Sequence, residues 1–408
     1  MLSTQIQCVV GIDVAKAAHV VCALEAPTGA LKQRALKIPA TAEGYAQLGR
    51  ALQQWGTKDS VLLGLEATGS LWEPLYDTLT QAGYTILLLN PRQTASWATS
   101  LGLRAKTDGI DAHTLARGLL AGYARASVLP SEAVQSLRTL TRARRDLVQS
   151  QTAALQRLHD DLVPLFPELV GHLPHHASLS DPAILTFLSC YSSAQAIAGA
   201  NVTELTRTLA EASSKRWGQA EALAVQQLAQ RSAASTRAVT ARSVVVRTLC
   251  FHLLDLRARL ADLERALEEA LGQDDEAQRL QGVPGIGPQN AATIRAELGD
   301  VSRFSRVDQV IAYAGLEPRT HESGRFAGQK RLSKRGPGAL RHALYLAALV
   351  AARYRPEWRE RYRRLLDRGR AKKEALTILS RSLLKVIYHL LRTGASYDPA
   401  RVFPSERA

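Results

Sequence analysis

The sequence predicts an α/β layer followed by an all-helical remainder, and three observations carry that reading. The first part of the chain alternates β-rich runs with helical runs, as a layered α/β unit does. The later part repeats leucines at helical spacing. Aromatics are only 5% of the 408 residues, so the core is built mainly of Leu, Val and Ala, a balance that leans helical. The length suits two or three domains, and we place them at 1–125, 126–275 and 276–408.

The elements follow in order. Gln7 to Val14 and His19 to Glu25 are β-rich, and Pro27-Thr28-Gly29 supplies a turn before a third run from Leu31 to Ile38. Thr41 caps a helix running to about Trp55. Val61 to Glu66 is a short apolar run ending in an acid, as expected of a buried strand. Ser70-Leu71-Trp72-Glu73 has capping-box spacing, with Pro74 tolerated in the first helical turn. Tyr84 to Leu89 reads as a fifth strand, followed by helices around Arg92 to Leu101 and Asp108 to Leu120. Farther on, Leu249, Leu253, Leu256, Leu260, Leu263 and Leu267 form a heptad seam, and Val134 to Leu165 carries a rougher one interrupted by Arg144 and Gln151. Two long core helices, or strands of a coiled coil within or between chains, both satisfy that pattern. Residues 170–240 are Ala/Ser-rich and helical in tendency, without a motif. His172, His175 and His176 suggest a metal only weakly, because Pro174 breaks any helical face.

Composition narrows the function. Lys+Arg number 52 against 37 Asp+Glu, a net charge of +15, and the sequence pI is near 9.9. From Arg325 to Arg392 there are 19 Lys+Arg against four acids, an excess equal to that of the whole chain. A basic face concentrated in one segment points to nucleic acid. Its apolar stretches read as core-facing helices, so membrane binding is the weaker reading. No run of 18 apolar residues occurs and the N-terminus lacks a signal pattern, so a cytoplasmic chain without a membrane partner is expected. The four cysteines lie far apart with no CxxC spacing, which suggests neither zinc nor a disulfide framework.

Four acids stand out. Asp13 ends the first apolar strand, Glu66 ends the fourth, and Asp108 and Asp111 share one helical face. Singly, each reads as a capping or solvated acid. Together they could hold Mg²⁺ through hard oxygen ligands, as nucleic-acid enzymes do. The segments GIDVAK, LEATGS and LRAKTDGIDAHTLA around them resemble the DEDD motif of RuvC-like domains. More narrowly they resemble insertion-sequence transposases and DNA invertases of the Piv type, which pair such a domain with a serine-bearing C-terminal domain. The resemblance implies an RNase H-like mixed sheet with Asp13 on its central strand.

In the C-terminal part, Val283-Pro284-Gly285-Ile286-Gly287-Pro288 before a helical run has the form of a helix-hairpin-helix. Gly285 and Gly287 would let backbone approach closely, and the helix start would offer N–H groups to a phosphate. On residues alone, Ser323 beside Gly324 in a basic loop is a plain loop serine, a phosphate ligand or a nucleophile. The run GVPGIGPQNAATIRAELGD, YAGLEPRTHESGRF and KRLSKRGPGALRHALYLAA resembles the same family's C-terminal domain, and this implies that Ser323 is the catalytic serine. Candidate nucleic-acid contacts are Lys106, Gly285, Gly287, Arg331, Lys334 and Arg335. The resemblance further implies a composite site between protomers, hence a dimer or tetramer, and a structured guide RNA pairing with donor and target DNA. The competing expectations are a metal-dependent nuclease or junction resolvase acting by hydrolysis, and a non-catalytic nucleic-acid-binding protein.

Overall fold

The structure, a computed structural model, describes residues 5–67, 69–100, 108–124, 129–173, 177–319, 322–323, 326–327 and 331–403, with only the backbone at Arg92, Ala98, Ser100, Asp108, Arg319, Glu322, Ser323, Phe326, Ala327 and Arg331. Lys106, His175 and His176 lie outside the described residues. The chain divides into two compact units, Met1–Leu129 and Pro130–Ala408.

The first unit is a five-stranded mixed sheet with helices. Its strands are β1 (Cys8–Asp13), β2 (Ala18–Glu25), β3 (Leu31–Pro39), β4 (Val61–Glu66) and β5 (Thr85–Leu89), in the spatial order β3-β2-β1-β4-β5. β1 pairs antiparallel with β2 and parallel with β4, which pairs parallel with β5. Asp13 therefore ends the central strand, as expected. Helix α1 (Ala42–Trp55) starts where Thr41 accepts the Gly44 N–H at 3.2 Å. α2 (Glu73–Gln81) follows β4. Leu48 and Leu52 of α1 and Leu75 and Leu79 of α2 bury against Val10, Ile12, Leu63 and Leu65. α3 (Pro91–Ser100) and α4 (Asp108–Leu120) complete the unit, and Ala112, Ala116 and Leu119 of α4 cover the opposite face, against Val9 and Leu62.

One local expectation fails. Ser70 does not cap α2; the N-cap is Trp72, with no side-chain cap bond. The turn is held instead by the Trp72 indole N–H donating to the Gly69 carbonyl at 2.9 Å and by the Glu73 N–H donating to the Ser70 carbonyl at 3.2 Å. An indole bond of this kind leaves the serine outside the helix.

The second unit is mainly helical. α5 (Glu132–Leu162) carries the rough seam. α6 (Pro182–Cys190), α7 (Ala194–Gly199), α8 (Val202–Ala212) and α9 (Gln219–Gln230) come next, and the leucine seam lies on α10 (Val239–Gly272). α5 and α10 pack as an antiparallel pair of one chain. Leu137 shares a core with Leu267 and Leu271, while Leu158 shares another with Val246 and Cys250. Between those ends Arg144 pairs with Glu264 at 2.7 Å. Arg144, which interrupts the α5 seam, thus takes an acid from the facing helix. α6 to α9 close their own core around the far end of the pair.

The near end supports α11 (Asp275–Leu280), α12 (Pro288–Leu298) and α13 (Val307–Ala314). Four short strands follow, β6 (Pro318–Arg319), β7 (Glu322–Ser323), β8 (Phe326–Ala327) and β9 (Arg331–Leu332). The chain then runs through α14 (Gly338–Tyr354), α15 (Pro356–Asp367), α16 (Lys372–Thr393) and α17 (Pro399–Val402). Leu340, Leu344, Trp358, Leu379 and Leu383 lie at the centre of that core, each fully buried. Part of the basic segment recognised in the sequence lies on the exposed surface of these last helices, with Arg359, Arg363, Arg364, Arg368, Lys372 and Lys373 all exposed.

Candidate active site

Side chains alternate across a strand, and this decides where the strand-end acids point. Val9, Gly11 and Asp13 share the α4 face of β1; Leu62, Gly64 and Glu66 share that face of β4. The parallel register sets Gly11 beside Gly64, and two residues on, Asp13 and Glu66 end neighbouring strands on one face. Val20, opposite Asp13 on β2, also lies in the core beneath α4. The glycines let the helix down. A Cβ at Gly11 would stand 2.2 Å from the Ala112 carbonyl oxygen and 2.5 Å from the Ala116 nitrogen, and one at Gly64 would stand 2.8 Å from Leu119. Asp111 immediately precedes Ala112 on the helix that these contacts seat against the face where Asp13 and Glu66 end. All three are partly exposed.

Surrounding groups orient this set. The Thr94 hydroxyl of α3 is buried and lies 2.6 Å from Glu66 Oε2, to which it donates, and 2.9 Å from the Pro91 carbonyl oxygen. Sequence reasoning missed Thr94, and no local pattern marks it. Burial pulls the His113 imidazole below its ordinary value, and the nearby Arg117 and Arg34 charges pull it further. His19, on the other face, accepts the Ala15 N–H on Nδ1 at 3.3 Å, which leaves its hydrogen on Nε2, 3.4 Å from the Tyr45 hydroxyl. Through Ala15 it braces the turn that follows Asp13.

Carboxylate oxygens from two adjacent strands and a facing helix are the hard donors that a divalent cation takes. Among the described residues no group of three or more such side chains comes together at metal-holding distance, and the Asp108 side chain is outside what is described. The donor chemistry fits a divalent metal.

The second unit places Ser323 differently from expectation: it lies in β7, not in an open loop. Pro318↔Leu332 and Arg319↔Arg331 pair as one two-stranded ladder, and Glu322↔Ala327 and Ser323↔Phe326 pair as a second that lies within it in sequence; together the two ladders are called the arm. Ser323 is the last strand residue before a two-residue connection. The strands are too short and polar to show a period-two signal. The roots of the arm are tied together. The Ser333 N–H donates to the Glu317 carbonyl at 3.0 Å, and the Lys334 N–H donates to the Gly315 carbonyl at 3.2 Å. Arg341 Nη1 reaches the carbonyl of Ala314 on one root at 3.2 Å and that of Gly336 on the other at 2.7 Å. Lys334 and Arg335 are exposed beside this junction, Lys334 with a left-handed φ of 50°. Arg331 lies in β9.

The helix-hairpin-helix segment also departs from the sequence reading. Gly285 has φ of +80°, and its missing Cβ makes room for the Ala347 carbonyl of α14, 2.2 Å from where that carbon would stand. Its close approach is therefore an internal packing contact, made possible by a helix distant in sequence. Gly287 is the N-cap of α12 and makes no side-chain cap bond.

Comparison with known proteins finds two family matches, the first running past Leu129 through α5. Residues 10–167 match the transposase domain family DEDD_Tnp_IS110, a domain type that implies a divalent metal, and residues 277–363 match the Transposase IS116/IS110/IS902 family. The chain is 26% identical to the insertion element IS116 uncharacterized 44.8 kDa protein of Streptomyces clavuligerus, over 96% of each chain. It is 29% identical to the transposase for insertion sequence element IS1111A of Coxiella burnetii, over 38% of this chain and 43% of that one. It is 31% identical to the pilin gene-inverting protein of Moraxella bovis, over 30% of this chain and 38% of that one. Among the described residues no helix is long and apolar enough to cross a membrane. The chain belongs to the IS110/IS116 family of insertion-element transposases, enzymes that cleave and rejoin DNA strands.

Proposed function

We propose that this transposase cuts and rejoins DNA through a covalent Ser323 intermediate, working with a Mg²⁺-binding DEDD set and directed by a structured guide RNA. The observation that supports it most is the paired segment around Ser323: Ser323 pairs with Phe326 between two strands, β6 and β9, whose outer ends are tied together. Attack by the Ser323 hydroxyl would form an Oγ–P bond and break one P–O bond of the DNA backbone, with the serine proton ending on the released sugar oxygen. A hydroxyl from a new DNA end reverses the step and restores the serine, so strands are exchanged without a high-energy cofactor. Asp13, Glu66, Asp108 and Asp111 would hold Mg²⁺, which when bound neutralises phosphate charge and assists the leaving oxygen. Lys106, Arg331, Lys334 and Arg335, with Gly287 at the start of α12, are the residues we assign to nucleic-acid contact; the space beside Gly285 is taken by Ala347.

On this reading 1–125 and 276–408 supply the chemistry and 126–275 is the helical connector. Donor and target DNA both engage a homo-oligomer. The similarity to a pilin gene-inverting protein makes inversion, beside transposition, a reaction to assay. The deciding experiment is Ser323→Ala on a nicked substrate that traps the intermediate. Wild type should give a protein–DNA adduct on the peptide containing Ser323, and the variant none, with DNA binding retained. An adduct on Ser333 or Tyr313, or strand cleavage with no adduct, would overturn the assignment. The last outcome would favour a hydrolytic nuclease or resolvase.

A further inference from the structure

A cavity of about 420 Å³ opens on the basic end of the second unit, between α15, α16 and the segment leading into α17. Its walls are of two kinds. Leu390, Val402 and the Tyr397 ring supply an apolar side, and the ring is fixed because its hydroxyl accepts the Trp358 indole N–H at 3.1 Å. Arg361 and Lys385 supply a cationic side from two different helices. Among the described residues the one acid lining the cavity is Asp398, which Arg401 pairs at 3.6 Å and which caps α17 by accepting the Ala400 N–H at 3.0 Å. Among the described residues no carboxylate pairs with Arg361 or Lys385. Arg361 instead lies 5.9 Å over the Phe403 ring.

We infer that this cavity binds one nucleotide unit of a nucleic-acid strand, its base against Tyr397 and Leu390 and its phosphate at Arg361 and Lys385. The inference rests on the reading of the second unit as a nucleic-acid module. A bare phosphate would leave the apolar wall unused, and an apolar ligand would leave two cations unmatched. A base with its own phosphate satisfies both. A volume of about 420 Å³ is within the range of small-ligand pockets, roughly 300–1,000 Å³. DNA and RNA offer the same chemistry here, so either strand could supply the nucleotide.

The test uses the full chain and two sets of single strands, one DNA and one RNA, in which 2-aminopurine is stepped through the sequence. In one set, a particular position should be quenched on binding, and that set identifies the source. Tyr397→Leu should abolish that signal and weaken binding by about tenfold. Tyr397→Phe, which keeps the ring and gives up only the Trp358 bond, should keep both. Arg361→Gln with Lys385→Gln should lose the signal and flatten the salt dependence by about one phosphate contact. A control pair outside the cavity, Arg368→Gln with Lys373→Gln, should flatten the salt dependence and leave the signal intact. Tight binding with no position-specific signal, or a cavity pair indistinguishable from the control pair, would overturn the nucleotide site alone. A chain that binds neither strand would instead overturn the reading of the whole unit, and this site with it.

Discussion

Gly11→Ala adds one methyl group to the central strand, at the place where α4 rests on the sheet. The new carbon would meet the Ala112 carbonyl oxygen at 2.2 Å, the Ala116 nitrogen at 2.5 Å and Leu115 Cβ at 2.9 Å. Ordinary contact begins at 3.4 Å, so strand and helix must separate by about 1.2 Å. Two of those three neighbours are backbone atoms, which cannot swing aside as a side chain would. Overpacking of this kind costs about 1–3 kcal/mol, a tolerable part of the roughly 5–15 kcal/mol that holds a domain together. The protein should therefore fold, with a lowered melting temperature. Asp111 rides on the displaced helix while Asp13 and Glu66 stay with the strands. A misplacement of about 1 Å in a catalytic constellation can cost about a hundredfold in rate. Recombination of a donor–target pair, normalised to folded protein, should fall by about that factor. Gly49→Ala is the control, because a Cβ there meets nothing within 4 Å, and replacing a mid-helix glycine should stabilise by about 0.5–1 kcal/mol. Wild-type stability in Gly11→Ala would refute the seating of α4. Lost stability with undiminished recombination would refute the link between that seating and the carboxylates.

Two further outcomes are expected. Arg341→Ala removes the bridge between the two roots of the Ser323 arm, worth about 1.5–3 kcal/mol for each charge-assisted bond. Adduct formation should drop at least tenfold while DNA binding holds, and the Ser333 and Lys334 amides should exchange faster; Arg341→Lys should recover part of both, and unchanged exchange would dismiss the bridge. His19 is held neutral by burial, its pKa lowered from 6.5, so the unfolded chain binds the extra proton as pH falls below that value. Its contribution is complete above about pH 6.5 and is lost as pH drops toward the folded value; denaturant midpoints between pH 7.5 and 5.5 should fall more for wild type than for His19→Gln, and parallel falls would exclude the histidine.

The order of strands and helices in the first unit was legible because turn chemistry and hydrophobic period are local signals. Thr41 as a cap and Asp13 and Glu66 as strand ends could be read directly. The face those acids share could have been read as well. Gly11-Ile12-Asp13 and Gly64-Leu65-Glu66 repeat one spacing at the ends of two apolar runs, and a glycine two residues before an acid marks where a helix can press on the sheet. Gly285 could not be understood that way, because the atom it makes room for belongs to Ala347, and nothing local joins them. Ser70 misled because capping-box spacing says nothing of a competing indole, and Thr94 sits in no pattern at all. The arm escaped because its stability lies in tied roots, some of them made by Arg341 from the next helix.

The α5–α10 pair limits how this protein can change length. α5 alone has 31 residues, which at about 1.5 Å per residue makes it about 46 Å long. Its far end carries the α6–α9 bundle, and its near end is built into the core beneath the Ser323 arm. Because the helices run in opposite directions, extra residues in one must be matched by extra residues in the other at the same level, or every leucine beyond that level faces the wrong neighbour. A gain of seven on both sides keeps the seam in phase, whereas a gain of two or three rotates the bundle around the stalk. Length variants that still fold should therefore differ by paired heptads, which offers a way to move the bundle outward by about 10 Å at a time without disturbing either end.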